Sequence, residues 1–140
     1  MEFIQEDAGP TLEKIIFDGF KEHALEKTGQ DGFGKSIAFA ALDRGEYVGA
    51  VVVRAFWGAL HIKNMWVHKD SRGKGVGRIL LNQALAYGEK ENQHFAFVET
   101  MSFQALEFYQ KMGFVLEYTR DGYAQNISFH YLRKDLIQGP

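Results

Sequence analysis

No cysteine occurs anywhere in the chain, which excludes a disulfide framework, a thiolate zinc site and a cysteine nucleophile, and suits a reducing compartment. A cytoplasmic location is expected. Long apolar runs are missing too: the most apolar stretch, 47–60, is interrupted by Arg54 and falls short of the roughly 20 residues a membrane-spanning helix needs. The start, "MEFIQEDAG", has acidic residues where a secretory signal would need a basic and then an apolar segment. No membrane partner is expected. Basic charge is not in excess, since 16 Lys and Arg against 18 Asp and Glu leave a net charge of -2. The general attraction to nucleic acid that a basic domain exerts is therefore absent, and any anion site must be local. What the chain does have is 140 residues that are 46% hydrophobic and 14% aromatic, enough for one packed core. We read 1–140 as a single domain.

Hydrophobic spacing organises the chain. A short strand is expected around Phe3 and Ile4. Gly9-Pro10-Thr11 then starts a helix in which Leu12, Ile15, Ile16, Phe20 and Ala24 recur on one side until Gly29. "TGQDGFGK" reads as a glycine-rich loop. The stretch "SIAFAALDRGEYVGAVVVRAF" reads as two strands joined by a tight turn at Asp43 to Glu46. "ALHIKNMWVH" is a third strand, and a helix begins at Val76 with Ile79, Leu80, Gln83, Ala84 and Tyr87 at helical spacing. "HFAFVET" is nearly all apolar, as in a strand covered on both faces and paired in parallel, so strand, helix and strand form a right-handed crossover. Ser102 can cap a short helix, "FQALEFYQKM", that stops at Gly113, and "FVLEYTR" and "NISFHYLRK" close the chain as a hairpin.

Between the third strand and its helix lies "SRGKGVGR", residues 71–78. The first N–H groups of a helix lack intrahelical partners and carry partial positive charge. Glycines there let the main chain approach phosphate oxygens without Cβ collisions, and Arg72, Lys74 and Arg78 add charge. Known glycine motifs do not fit. A P-loop needs Ser or Thr after Gly-Lys, whereas Gly75 follows Lys74, and the G-x-G-x-G spacing is not the dinucleotide G-x-G-x-x-G. A plain flexible turn feeding a helix is the competing reading.

The wider stretch "MWVHKDSRGKGVGRILL" resembles the acetyl-CoA signature of the GNAT superfamily of N-acetyltransferases, R/Q-x-x-G-x-G/A, with Arg72, Gly75 and Gly77 filling it. "SFQALEFYQKMGF" resembles the family's second stretch through Ala105, Phe108, Tyr109, Gly113 and Phe114. The likeness covers about residues 36–132. It implies an α/β fold with a mixed central sheet flanked by helices, and a splayed parallel strand pair that admits the pantetheine arm of acetyl-CoA. By the same resemblance the backbone of Met65 and Val67 pairs with that arm. N–H groups of Arg72, Gly73, Lys74, Gly75, Val76, Gly77 and Arg78 hold the pyrophosphate. An N–H near Met65 or Trp66 stabilises the oxyanion. Ser102 stands where many relatives carry an Asn that touches pantetheine, and its hydroxyl has a shorter reach.

Acetyl transfer to an amine needs a base, an oxyanion site and an acid for the thiolate. The resemblance makes Tyr109 the acid beside the thioester sulfur; the competing reading is that Tyr109 only packs with Phe108. His61 stands where histone-acetylating relatives carry a catalytic Glu, and an imidazole suits proton uptake near neutrality. A hydrogen-bonded structural His is its alternative, and Glu99 is the rival base. His23, His68, His94 and His130 show no metal-ligand spacing, and no G-x-S-x-G elbow is present, so no metal and no acyl-enzyme are expected. Phe33, Phe56, Trp57, Asp121 and Tyr123 could border an acceptor pocket, or a core edge or homodimer contact. The leading reading is an acetyl-CoA-dependent N-acetyltransferase acting by direct attack of a primary amine of a small molecule or protein. A catalytically silent acyl-CoA-binding module and an unrelated phosphate-binding regulator are the alternatives.

Overall fold

The computed structural model describes residues 1–136, and the chain divides into two compact units, the first ending at Phe33 and the second beginning at Gly34. In the first, α1 (Pro10–Thr28) begins as its sequence predicts. Gly9 is the N-cap and Pro10 opens the first turn, where a missing N–H costs nothing. The helix ends on left-handed Gly29, whose N–H donates to the Leu25 carbonyl. None of its residues is fully buried, and the edge of Phe17 meets Phe33 at 4.8 Å. The strand expected at Phe3 and Ile4 does not form: residues 1–9 carry no regular structure and both side chains are exposed. Two adjacent apolar residues without a paired strand edge have nothing to hold them extended.

The second unit is built on six strands: β1 (Phe33–Asp43), β2 (Glu46–Phe56), β3 (Ala59–Val67), β4 (Phe95–Met101), β5 (Val115–Arg120) and β6 (Phe129–Asp135), in the order β1-β2-β3-β4-β6-β5. The predicted loop 28–35 is shorter than its glycines suggest, because Phe33, Gly34 and Lys35 already belong to β1. β3 and β4 pair in parallel and the other resolved pairings are antiparallel, so the sheet is mixed. The connection from β3 to β4 runs through α2 (Val76–Lys90), whose Leu80, Leu81, Ala84, Leu85 and Gly88 are buried in one helical stripe. They pack with Val51, Val53, Leu60, Ile62, Ala96, Val98 and Leu132 from the sheet.

The last helix, α3 (Leu106–Lys111), is shorter at its start than the sequence suggests. Ser102 does not cap it. Its hydroxyl accepts a hydrogen bond from the Ser128 N–H at 3.0 Å, and the turn into α3 is held instead by Ala105 N–H donating to the Thr100 hydroxyl. The C-terminus follows the predicted glycine stop: Gly113 is left-handed, and the Phe114 N–H reaches back to the Tyr109 carbonyl at 3.0 Å. No helix among the described residues is long and apolar enough to cross a membrane.

Candidate active site

The pairing of β3 with β4 runs from Ala59 with Phe95 to Ile62 with Val98 and then stops, although β3 continues to Val67 and β4 to Met101. A bulge lies at the same level. Val53 faces Ile62 and Val52 faces Asn64, leaving Lys63 without a counterpart on β2. An extra residue bends a strand and shifts its alternation by one. Ile62 and Met65 therefore share the face of buried Val53 and Val51, while His61 points to the other face with Arg54. The His68 N–H donates to the Val48 carbonyl on β2. Main-chain groups alternate edges along a strand, so those of Met65 and Val67 point to the open edge that β4 has vacated. The same alternation turns the N–H of Trp66 toward β2, which leaves Met65 as the free donor of the two.

A cleft of about 740 Å³ opens from this edge. The loop 71–78 and the start of α2 form one wall, Phe103, Gln104 and Ala105 before α3 form the other, and Phe108 and Tyr109 close the inner end. Gly75 is the left-handed N-cap of α2 (φ 81°), and the first helical N–H with a partner is that of Ile79, which donates to Gly75. Those of Val76, Gly77 and Arg78 precede it and are free of the helix ladder. A Cβ on Gly77 would lie 3.3 Å from Met65 Cε and 3.6 Å from Phe108 Cζ, filling the cradle from below. The donor set and the open floor fit a pyrophosphate. Arg72 donates through Nε to the Val67 carbonyl at 3.1 Å, tying the loop to the open edge of β3. Arg72, Gly73, Gly75, Val76, Gly77, Arg78, Met65, Trp66 and Val67 all line the cleft; Lys74 and Ser102 do not. Lys74 is an exposed loop residue, and the Ser102 oxygen is engaged by Ser128.

Tyr109 is buried, 5% exposed, with its ring edge-on between Phe108 and Phe114. Its hydroxyl donates to the Met65 sulfur at 3.7 Å, a weak acceptor that a better one in the cleft would displace. Burial pushes its pKa from 10.0 up to about 12, so the hydroxyl stays protonated, and a donor, throughout the neutral range.

On the opposite face the structure brings together the two candidate bases, His61 and Glu99. His61 Nε2 lies 2.9 Å from Glu99 Oε2, and the imidazole stacks flat on Phe97, with ring centroids 4.5 Å apart and planes 2° from parallel. His61 is paired in the parallel ladder one step before its end, and Glu99 is the first β4 residue beyond it. The pair thus spans the two strands where they part. A carboxylate at Nε2 fixes the tautomer with hydrogen there, leaving the Nδ1 lone pair as the basic site. Among the described residues no three His, Asp or Glu side chains gather as a metal site.

Of the residues suggested for the acceptor side, Phe56 and Trp57 line a second cavity beside Glu99. Asp121 accepts from the Ser128 hydroxyl at 2.6 Å, Tyr123 packs on Phe129 at 4.9 Å, and Phe33 meets Phe17. Glu117 and Tyr131, which also line that cavity, escaped the sequence reading, as did Phe103 and Gln104 in the cleft. The position of the latter two, directly between β4 and α3, was the available signal.

The profile of a family described as an acetyltransferase (GNAT) domain matches residues 34–116. A blasticidin-S acetyltransferase from Streptomyces morookaense is 36% identical over 99 residues, 70% of this chain and 73% of that protein. Among solved structures, a protein from Agrobacterium tumefaciens described as an acetyltransferase superposes with a TM-score of 0.87 at 24% identity, covering 96% of this chain and 99% of its own. A Bacillus anthracis protein described as a streptothricin acetyltransferase, solved in complex with acetyl coenzyme A, superposes with a TM-score of 0.66 at 24% identity, covering 73% of this chain and 63% of its own.

Proposed function

Because this chain belongs to the GNAT superfamily of N-acetyltransferases, with acetyl-CoA as cosubstrate, we propose that it acetylates a primary amine of a small molecule by direct attack, with the amine held on the sheet face opposite the cleft. The observation that carries this reading is the position of the His61–Glu99 pair at the parting of β3 and β4, on the other side of the sheet from Tyr109. Base and acid then approach one reacting centre from opposite faces through the gap. The relatives named for blasticidin S and streptothricin support a small-molecule amine as acceptor.

Bound in the cleft, acetyl-CoA supplies an acetyl group activated as a thioester. The N–H groups at Val76, Gly77 and Arg78, with the charges of Arg72 and Arg78, hold its pyrophosphate. The main chain of Met65 and Val67 offers an added-strand edge to the pantetheine arm, and the Met65 N–H stabilises the carbonyl oxygen as charge gathers on it. His61 Nδ1 accepts the proton the amine sheds as its N–C bond forms, while Glu99 stabilises the resulting imidazolium. Tyr109 donates its hydroxyl proton toward the sulfur as the C–S bond breaks. With a pKa of about 12 the phenol is a weak acid in the empty site, so its help takes the form of a hydrogen bond that strengthens as the thiolate develops.

Thermal shift with acetyl-CoA, CoA and ATP, followed by a thiol-release screen over amines, tests the proposal. Stabilisation should follow the CoA forms, about 2.7 kcal/mol at a hundredfold excess over Kd. An equal response to ATP would leave a phosphate-binding regulator instead, and CoA binding without thiol release from any amine would leave the silent module.

A further inference from the structure

The second cavity, about 360 Å³, lies on the face that carries the His61–Glu99 pair. Its size falls within the range of small-ligand pockets. Phe97 and Tyr131 share this face with Glu99: Phe97 precedes it by two residues on β4, and Tyr131 sits directly across on β6. Trp57 lines the same cavity from the β2–β3 turn.

Trp57 and Gly58, with φ at 49° and 82°, form the two-residue turn between β2 and β3, as Arg44 and Gly45, at 52° and 80°, do between β1 and β2, so the left-handed Trp57 follows from the turn itself. One backbone irregularity does point at the cavity. On β5, Leu116 pairs with Leu132 and Tyr118 with Tyr131, so Glu117 is the extra residue of a bulge, the device by which a strand re-aims one side chain. Glu117 lines the cavity and has no ion-pair partner among the described residues. The one cation of the lining, Arg133, is already committed: its Nε donates to Asp135 at 2.9 Å and its guanidinium lies 3.8 Å above the Phe95 ring. The lining thus carries two carboxylates, Glu99 and Glu117, against that one committed cation, while Arg120, outside the lining, lies over the Tyr131 ring at 5.5 Å and donates to its hydroxyl.

We propose that this cavity binds the non-reacting body of the acceptor, and that the body is a flat cation, an amidinium, guanidinium or protonated heterocycle, seated among Trp57, Phe97 and Tyr131 with its charge against Glu117. Aromatic faces attract cations, and a planar cation donates two parallel hydrogen bonds to a carboxylate. The geometry makes this a specificity site: it selects which amine is delivered to His61. The inference rests on the placement of the acceptor proposed above.

Its test therefore reads binding rather than turnover. Benzamidine, a flat cation, is titrated into the full-length protein by calorimetry, beside the neutral benzamide and the anionic benzoate. Benzamidine should bind about tenfold or more tightly than either, and Glu117→Gln should remove most of that preference while leaving acetyl-CoA affinity unchanged. Trp57→Gly, which keeps the turn geometry, should weaken all three aromatic probes while the preference set by Glu117 persists. Benzamidine binding no better than benzamide, or preference intact in a folded Glu117→Gln protein, overturns the inference. Either result leaves the acetyltransferase reading standing if amines still release thiol. Charge-selective binding in a protein that acetylates no amine would keep the cavity assignment and sink the proposed reaction.

Discussion

Replacing Tyr109 with Phe removes one hydroxyl and keeps the ring between Phe108 and Phe114. The hydroxyl's partner is a thioether at 3.7 Å, so the variant should lose less than the roughly 1 kcal/mol of an ordinary hydrogen bond at neutral pH. Turnover should fall about 10²- to 10⁴-fold, or ~2.7 to 5.4 kcal/mol, because the thiolate charge develops only in the transition state. The phenol also makes a separate mark on stability. A folded pKa of about 12 against 10.0 means that the folded protein keeps this proton after the unfolded chain has lost it. The stabilisation is then whole below pH 10 and is lost as pH rises through 10 to 12. Relative to the Phe variant, the wild type should lose about 1.4 kcal/mol between pH 8 and pH 11. Single-turnover thiol release measures the first effect and urea unfolding across that pH range the second. A chemical step within about threefold of wild type would refute the acid role, since less than 1 kcal/mol remains for it. A stability difference that stays flat from pH 8 to 11 would refute the desolvated phenol.

Other substitutions separate the remaining roles. Gly77→Val should lower acetyl-CoA affinity about 100-fold or more by calorimetry while the protein stays folded, because the new side chain fills the cradle toward flexible Met65 and Phe108 tips; unchanged affinity would contradict the cradle. Gly75→Val should cost folding stability as well, since a branched residue resists φ of 81°, and urea unfolding of the two variants side by side checks the difference. Arg72→Ala should weaken acetyl-CoA about tenfold, less than the glycine change, because the backbone donors remain; a complete loss would shift the weight of binding from backbone to side chain. His61→Gln should leave acetyl-CoA binding alone and make kcat/KM follow the fraction of unprotonated amine as pH rises. A wild-type pH profile in that variant would hand the proton to Glu99 or to water.

The candidate phosphate cradle was legible because its parts are local. A strand, a turn with Gly75 and Gly77, and a helix starting at Val76 lie within a few residues, and the unpaired N–H groups at a helix start follow from the i to i−4 pattern alone. The α1 boundaries, the Arg44-Gly45 turn and the glycine stop of α3 belong to the same class. The start of α3 did not, because a Thr100 hydroxyl from β4 holds that turn while Ser128, just before β6, occupies Ser102. The sequence named His61 and Glu99 as rivals; only the parallel register of β3 on β4 made them partners, 38 residues apart. The bulges at Lys63 and Glu117 were likewise invisible, since a bulge belongs to a pair of strands and not to either strand. These bulges decide which side of the sheet Met65 and Glu117 face. Local spacing and chain stereochemistry determined where a phosphate could be held, whereas the proposed reacting face and acceptor pocket depend on register, which is settled by packing between segments distant in the chain.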